Sequence, residues 1–255
     1  VSGFQALVLA GSRGVVDPVA AYAGVSHKGL ATVAGLTLLE RVLRALAEAG
    51  ASRIAICTGD QIIAATALAL RELPPVEVIS AEASPSLSVR AALEKLGSPL
   101  LVTTVDHALL QPEWVRRFIA DTPAGADISI LLGEEAVVQA AAPGTRRTYL
   151  AFRDGRFSGC NLFYLATDRA VGALDLWRRV EAHRKQPWRI AMLLGPGVLL
   201  GFLLRRFTLR QAVARLGGKA NVRAEAVTTP FGLAAVDVDK PSDLDLARRL
   251  QGDVG

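Results

Sequence analysis

Phe4-Gln-Ala-Leu-Val-Leu-Ala10, followed at once by Gly11-Ser12-Arg13-Gly14 and, after a longer loop, by His27-Lys28, decides how the chain is read. The apolar run is the pattern of a short, buried first strand. A strand that stops at a small, glycine-containing turn exposes backbone N–H groups at its carboxyl end. With an Arg and a Lys nearby, such groups can hold a polyphosphate. Gly11 has no side chain to obstruct a ligand. Arg13 offers a planar fork and Lys28 a mobile point charge for phosphate oxygens. Taken alone, the stretch is equally an ordinary Gly-rich turn with two solvated cations. It is not a P-loop, because no Gly-Lys-Ser/Thr occurs, nor a dinucleotide fingerprint, because Gly-x-Gly-x-x-Gly is absent.

Downstream of this stretch the pattern alternates. From Leu36 to Gly50 the apolar residues Leu39, Val42, Leu43 and Leu46 lie on one helical face, and Gly50 sits where a glycine would end the helix. Arg53–Cys57 reads as a second strand, and Asp60–Leu73 as a helix stopped by Pro74-Pro75. Val76–Ile79 is a third strand. A helix over Ser86–Leu96 opens at Ser84-Pro85-Ser86. Pro99–Val105 is a fourth, apolar strand ending in Asp106. Pro112, with Trp114, Val115, Phe118 and Ile119, starts another amphipathic helix. Strand and helix alternate four times, the signature of an α/β protein with a parallel, doubly wound sheet and ligands at the strands' carboxyl ends.

The second half is less regular. Strands are expected at Asp127–Leu132, Arg147–Phe152 and Phe157–Leu165, the last two joined as a hairpin through Asp154-Gly155. The pattern is helical from Thr167 to about Gly217. Val222–Val227 and Leu233–Val238 read as late strands, and Pro241–Leu250 as a closing helix with Ser242 as N-cap and Asp245 three residues on. Neither a repeat nor a linker divides the chain, so residues 1–255 read as a single domain with a helical insert at about 167–218.

Composition narrows the function. Of 255 residues, 51% are hydrophobic and 21% charged, enough apolar material for a sizeable core and against disorder. The net charge is +5, but arginines are scattered and aromatics make up only 5%, a pattern for anionic small molecules and not for nucleic acid. Two distant cysteines, Cys57 and Cys160, give neither a disulfide framework nor a zinc spacing, so a reducing cytoplasm is expected. The N-terminus carries no basic-then-apolar leader, and Val1 in place of Met reads as a processed or trimmed start. The uncharged stretch Ile190–Leu204, interrupted by Gly195-Pro196-Gly197, is short of the roughly 20 residues a membrane span requires.

Two further features point to chemistry. Asp106 follows the most apolar strand, so it should project at the carboxyl edge of the sheet beside the first loop. A carboxylate there suits Mg²⁺, which takes most of its ligands from phosphates and water; a turn or cap aspartate is the alternative. In Asp237-Val-Asp-Lys-Pro-Ser-Asp-Leu244, alternation along a strand puts Asp237 and Asp239 on one face. A metal shared with Asp106 would relieve their repulsion; a solvated strand end before a capped helix is the other reading.

Leu9-Ala-Gly11, Lys28, Val33-Ala-Gly35 running into Leu38-Leu-Glu-Arg-Val42, the strand end at Asp106, and Val236-Asp-Val-Asp-Lys-Pro-Ser-Asp-Leu244 occur together and in order. As a set they resemble the MobA-like nucleotidyltransferases, a family that includes molybdenum cofactor guanylyltransferase and relatives acting on sugar and polyol phosphates. The resemblance covers about residues 4–165 and 220–250. It implies a Rossmann-like, three-layer α/β/α fold of the glycosyltransferase-A type with a mixed, mostly parallel sheet. It implies Mg²⁺-dependent transfer of NMP from an NTP to an acceptor phosphate, with release of pyrophosphate. Carried over by position, Leu9, Ala10 and Gly11 would hold the nucleotide's base and ribose, and Arg13 and Lys28 its triphosphate, with Ser12 also at the nucleotide. Asp106 and Asp239 would bind Mg²⁺ with Asp237 in support, and Ser88 would lie near the nucleotide. The first loop departs from the family: Ser12 replaces a glycine, and Val16-Asp17 stand where an Arg is usual, a role Arg13 would take over.

The alternatives are a nucleotide-sugar-dependent glycosyltransferase and a catalytically silent nucleotide-binding module. The first would want Asp-x-Asp where the chain reads Asp106-His107-Ala108. His107 reads either as a group orienting the acceptor or as a surface or supporting histidine. Trp188 and the apolar stretch at 190–204 read as helices packed on the sheet or on a partner subunit in a homodimer. A wall over the acceptor pocket, or peripheral membrane contact with Arg189, Arg205 and Arg206 at phosphates, is the sharper reading.

Overall fold

The computed structural model describes residues 3–11, 17–183 and 204–252, with 186, 189, 192, 195, 197, 200 and 201 between the last two spans. Ser12, Arg13, Trp188 and most of 190–203 lie outside the described residues.

β1 (Phe4–Leu9) is the first strand expected, and its neighbours assemble around it. Asp17 caps α1 (Pro18–Ala23) by accepting from the N–H groups of Val19 and Ala20, and a 3₁₀ turn, Lys28–Leu30, follows. The two-residue strands β2 (Thr32–Val33) and β3 (Leu36–Thr37) form a hairpin over Ala34-Gly35, both at positive φ. α2 (Leu38–Ala49) ends at Gly50 in the left-handed region (φ 103°). Then come β4 (Ala51–Thr58), α3 (Gln61–Ala69), β5 (Val76–Ser80), α4 (Pro85–Leu96), β6 (Leu100–Thr104) and α5 (Pro112–Asp121). The second half holds β7 (Ile128–Glu134), α6 (Glu135–Ala141), β8 (Leu150–Phe152), β9 (Gly155–Leu165) and α7 (Val171–Ala182). It closes with α8 (Leu209–Lys219), β10 (Ala224–Thr229) and α9 (Pro241–Leu250).

Seven strands run in the order β10-β7-β9-β6-β1-β4-β5, with β8 paired to β9 as the eighth. β1 is parallel to β4 and β6, β4 to β5, and β10 to β7; only β9 runs antiparallel, between β6 and β7. The sheet is therefore mixed and mostly parallel, and alternation along β1 builds both cores. Phe4, Ala6 and Val8 pack with Leu39, Leu43 and Leu46 of α2, Phe118 of α5 and Leu244 of α9. Leu7 packs on the other face with Val89 and Leu93 of α4, Leu174 of α7 and Val213 of α8. Each fully buried leucine in these layers contributes about 2 kcal/mol from its apolar area. Three layers result, helices on both faces of one sheet. Among the described residues no helix is long and apolar enough to cross a membrane.

Several elements differ from the sequence reading. Leu233–Val238 is not a strand: Gly232–Ala235 turns as a 3₁₀ helix and only the residues beyond it are extended. The turn packs closely on α6, where only glycine fits: a Cβ on Gly232 would lie 2.2 Å from the Val137 carbonyl oxygen. α1 and α6 carry too little periodicity to stand out in the sequence. α3 stops at Ala69, four residues early, because Leu70 goes extended as Leu70 and Leu73 turn onto the core ahead of Pro74-Pro75. Arg147–Tyr149 stay outside β8. At α9 the N-cap is Lys240, not Ser242: Pro241 suits the first helical position, and Asp243 takes the free N–H groups of Asp239 and Lys240. Met192, Leu200 and Leu204 are exposed, against packing on the sheet for these three side chains.

Candidate active site

The parallel strands β1, β4 and β6 end at one edge. Val105 donates its N–H to the Leu9 carbonyl, Ala10 donates to the Cys57 carbonyl, and the Thr58 hydroxyl donates to the Ala10 carbonyl at 2.9 Å. Leu9 and Ala10 are thus fixed at the rim. Gly11 is exposed, and a Cβ there would meet nothing within 4 Å. Among the described residues no packing requires glycine at 11.

Lys28 reaches the same edge from the 3₁₀ turn, which His27 shapes. The His27 imidazole is buried, and its Nδ1 accepts the Gly29 N–H at 2.9 Å. Burial lowers its pKa, so at neutral pH the ring keeps the lone pair that holds the turn. The Lys28 ammonium lies 2.5 Å from Asp106 Oδ2 and 3.3 Å from Asp239 Oδ1. Burial alone would lower the Lys28 pKa, but the two carboxylates outweigh it and raise it above the usual lysine value. Asp106 projects from the end of β6 with its other oxygen accepting from the Thr104 hydroxyl. Its carbonyl accepts from Val238, which draws the extended segment 236–239 alongside and brings Asp239 to the same point.

Asp237 sits differently. Val236 and Val238 are fully buried, so Asp237 and Asp239 do share the opposite side of the chain. Yet Arg147 donates to the Asp237 carboxylate and, at 2.7 Å, to its carbonyl, while Asn161 Nδ2 donates to the second carboxylate oxygen at 2.7 Å. Desolvation raises the Asp237 pKa, with Arg147 opposing it. Asn161 reaches Asp237 from a break in the β7–β9 register, where it adopts positive φ (49°). Beside these groups lies a cleft of about 290 Å³. Arg146, Arg147 and Thr148 line it together with Ser158, Gly159 and Asn161 of β9 and with Asp239 and Lys240.

Of the residues singled out in the sequence, Lys28, Asp106 and Asp239 come together, with Leu9, Ala10 and Gly11 along the same edge and Asp237 one residue removed. Ser88 is buried on α4, its hydroxyl accepting from the Glu82 N–H at 2.9 Å. The sequence reading gave no supporting role to Thr104, Arg147 or Asn161; His27 and Asp243 stood in its motifs, His27 beside Lys28 and Asp243 in the first turn of a helix, without the contacts they make.

His107 is neither on the surface nor free to turn toward the cleft. It is 1% exposed, its ring centroid 6.3 Å from Trp114, which stacks on Phe231 at 6.0 Å. Burial pushes its pKa down to about 4. An unfolded histidine titrates near ~6.5, so below that pH the unfolded chain takes up a proton that the native one refuses. Stability is therefore full above the unfolded value and falls as pH drops, with His27 adding in the same direction. Between pH 7 and 5, unfolding in urea should lose about 2 kcal/mol from His107. His107→Gln should flatten that dependence; an equally steep variant would refute the assignment.

Asp106 and Asp239 converge on a single cation, the Lys28 ammonium. Among the described residues no three His, Cys, Asp or Glu side chains could enclose a metal. Two carboxylates at an open edge nevertheless fit an ion that keeps most of its coordination for water and phosphate, which is the habit of Mg²⁺.

The MobA-like NTP transferase domain model matches residues 6–216. A hypothetical transferase from Thermus thermophilus has a structure similar to this one at a TM-score of 0.81 and 34% identity, over 95% of this chain and 99% of that one. A nucleotidyl transferase from Methanothermobacter shares the fold at a TM-score of 0.60 and 20% identity, over the full length of both. Among curated proteins, the bifunctional protein GlmU of Azorhizobium caulinodans is 34% identical over 109 residues, 41% of this chain. The matched stretch spans 24% of that protein's length, so the likeness concerns about a quarter of it.

Proposed function

The chain belongs to the MobA-like NTP transferase family, and from that premise we propose that it moves a nucleoside monophosphate from an NTP to a phosphorylated small-molecule acceptor, releasing pyrophosphate. The observation that carries the reading is the Lys28 ammonium held between Asp106 and Asp239 at the open carboxyl edge of the sheet. Gly11 follows the end of β1 at the same sheet edge, and Asp239 also lines the cleft that holds Arg146 and Lys240. A polyanionic donor and an anionic acceptor would meet there.

The reaction needs no protein nucleophile. An acceptor phosphate oxygen attacks the α-phosphorus of the NTP and forms a new P–O bond. The bond from that phosphorus to the bridging oxygen breaks, and the electron pair leaves with pyrophosphate. The chain's part is positioning and charge neutralisation. The N–H groups at the end of β1 and the open face of Gly11 would receive the nucleotide, with Arg13 and Lys28 on the triphosphate. Lys28 stays protonated across the physiological range, since its pKa is raised, and would offset the charge that builds on the leaving group. Arg146 and Lys240 would hold the acceptor phosphate. Mg²⁺ held by Asp106 and Asp239, with Asp237 behind them, would neutralise phosphate charge when bound. NTPs are cytoplasmic substrates, and this reading puts the chain in that compartment.

The structure also bears on the glycosyltransferase alternative. Ala108, where a second metal-binding aspartate would be wanted, is fully buried and apolar, and His107 faces the aromatic core. The test is pyrophosphate release from ATP, CTP, GTP and UTP with Mg²⁺ and a panel of sugar and polyol phosphates. Acceptor-dependent release from one NTP supports the reading. Absence of both release and Mg²⁺-dependent NTP binding would replace it with a silent module.

A further inference from the structure

Arg147 is a nearly buried arginine without a place in the reaction described above; its side chain is only 8% exposed. It reaches out of the segment between α6 and β8 to two points of the strand-like segment that carries Asp239 and to one in the first turn of α9. One Nη donates to the Asp237 carboxylate; the other donates to the Asp237 carbonyl at 2.7 Å and lies 3.6 Å from Asp243. Asp243 accepts in turn from the backbone N–H groups of Asp239 and Lys240, each at 3.2 Å. The backbone on both sides of Asp239 is therefore held by one guanidinium and the carboxylate beside it. The Asp239 side chain itself is 65% exposed, with Lys28 at 3.3 Å as its charged neighbour. Exposed in this way, the side chain takes its direction from the backbone beneath and from the Lys28 contact.

We infer that Arg147 is a positioning residue of the transfer reaction: it ties Asp237 into the protein and sets the backbone so that Asp239 faces Asp106 across the cation position. The inference rests on the nucleotidyltransferase reading of the site. Its physical basis is the geometry of the guanidinium. A planar fork can bond a carboxylate and a carbonyl at once while staying in reach of a second carboxylate, which a point-charge ammonium cannot do. Arg147 also lines the cleft next to Arg146, so the wall that would contact the acceptor and the segment that would contact the metal share one anchor.

The test uses the full chain and Mn²⁺ as a spectroscopic stand-in, alone and with the α,β-methylene analogues of ATP, CTP, GTP and UTP in turn. Arg147→Met alone leaves the half-buried Asp237 carboxylate without its counter-charge and could unfold the protein. The double variant Arg147→Met with Asp237→Asn removes both charges together and serves as the informative protein. It is read against Asp237→Asn alone, which gives up the Asp237 charge but keeps the guanidinium; Mn²⁺ binding equal in these two would overturn the inference. With its urea midpoint close to wild type, the double variant should bind Mn²⁺ in the presence of nucleotide about tenfold more weakly, the usual loss when an outer partner of a metal ligand is removed. Turnover kcat should fall in parallel, with KM for the NTP nearly unchanged. Wild-type Mn²⁺ affinity and kcat in the folded double variant would overturn the inference. So would a loss confined to KM for the acceptor, which would make Arg147 a substrate contact. If wild type binds no Mn²⁺ with any nucleotide, or if Asp106→Asn binds it as well as wild type, the reading of the site fails first and this role with it.

Discussion

Lys28→Ala is expected to lower acceptor-dependent pyrophosphate release by about a thousandfold, the upper range for removing one preorganised group that stabilises transition-state charge. The size follows from where the ammonium sits. It is four-fifths buried and reaches the sheet edge from a turn whose shape His27 fixes, so no solvated lysine can take its place. The loss should fall on kcat more than on KM for the NTP, because charge on the leaving pyrophosphate is greatest in the transition state. Stability moves the other way from simple intuition. Removing the lysine leaves Asp106 and Asp239 facing each other without a counter-charge, which costs on the order of 2 kcal/mol. The Lys28 pKa is raised on folding, so the pair's contribution is complete below the unfolded lysine value and lost only as pH rises through the folded one. Divalent ion should restore most of the lost stability in Lys28→Ala and do less for wild type. Unfolding curves with and without Mg²⁺, beside the release assay, check both halves. Turnover within tenfold of wild type would remove Lys28 from the reaction.

What could be read from the sequence was what depends on neighbours along the chain. The apolar run of β1, the helical face of α2 with Gly50 behind it, and Asp106 at the end of β6 each carry a local signal, and each stands where that signal put it. The alternation that pairs Asp237 with Asp239 also survives, although the segment is not a ladder strand. Its fate shows the limit. Residues 232–238 turn where Gly232 passes so close to the Val137 carbonyl that no side chain would fit, a contact that no window of sequence contains. Arg147 shows the same limit. Beside Arg146 and Thr148 it looks like any solvated arginine; its partners Asp237 and Asp243 lie 90 or more residues further along the chain. Asn161 depends on a register shift, and His27 on a buried turn. Groups that position other groups have long-range partners, which is why the acids and the lysine were legible and their supports were not.

Asp106→Asn is the sharper test of the cation position, because it changes charge while keeping shape. The amide oxygen can still accept from the Thr104 hydroxyl, and the backbone carbonyl still accepts from Val238. The fold and the placement of segment 236–239 should therefore persist. What goes is one of two negative charges facing the ammonium and, on the proposed reading, the metal. With Asp239 two-thirds exposed, Asp106 supplies the more desolvated and more strongly acting carboxylate of the pair. Its charge matters more for that reason, since low surrounding dielectric strengthens the attraction. Turnover should fall by about a thousandfold, as for a direct charge-stabilising group. NTP binding in Mg²⁺ should weaken, but NTP binding without metal should tighten, because a negative charge has left a site for a polyanion. That change of sign separates a metal ligand from a merely structural aspartate, which would weaken binding under both conditions or neither. Asp239→Asn should show the same reversal with a smaller amplitude, following its exposure. If both variants bind NTP alike with and without Mg²⁺, the two carboxylates serve only to hold Lys28, and the metal has to be sought elsewhere in the chain.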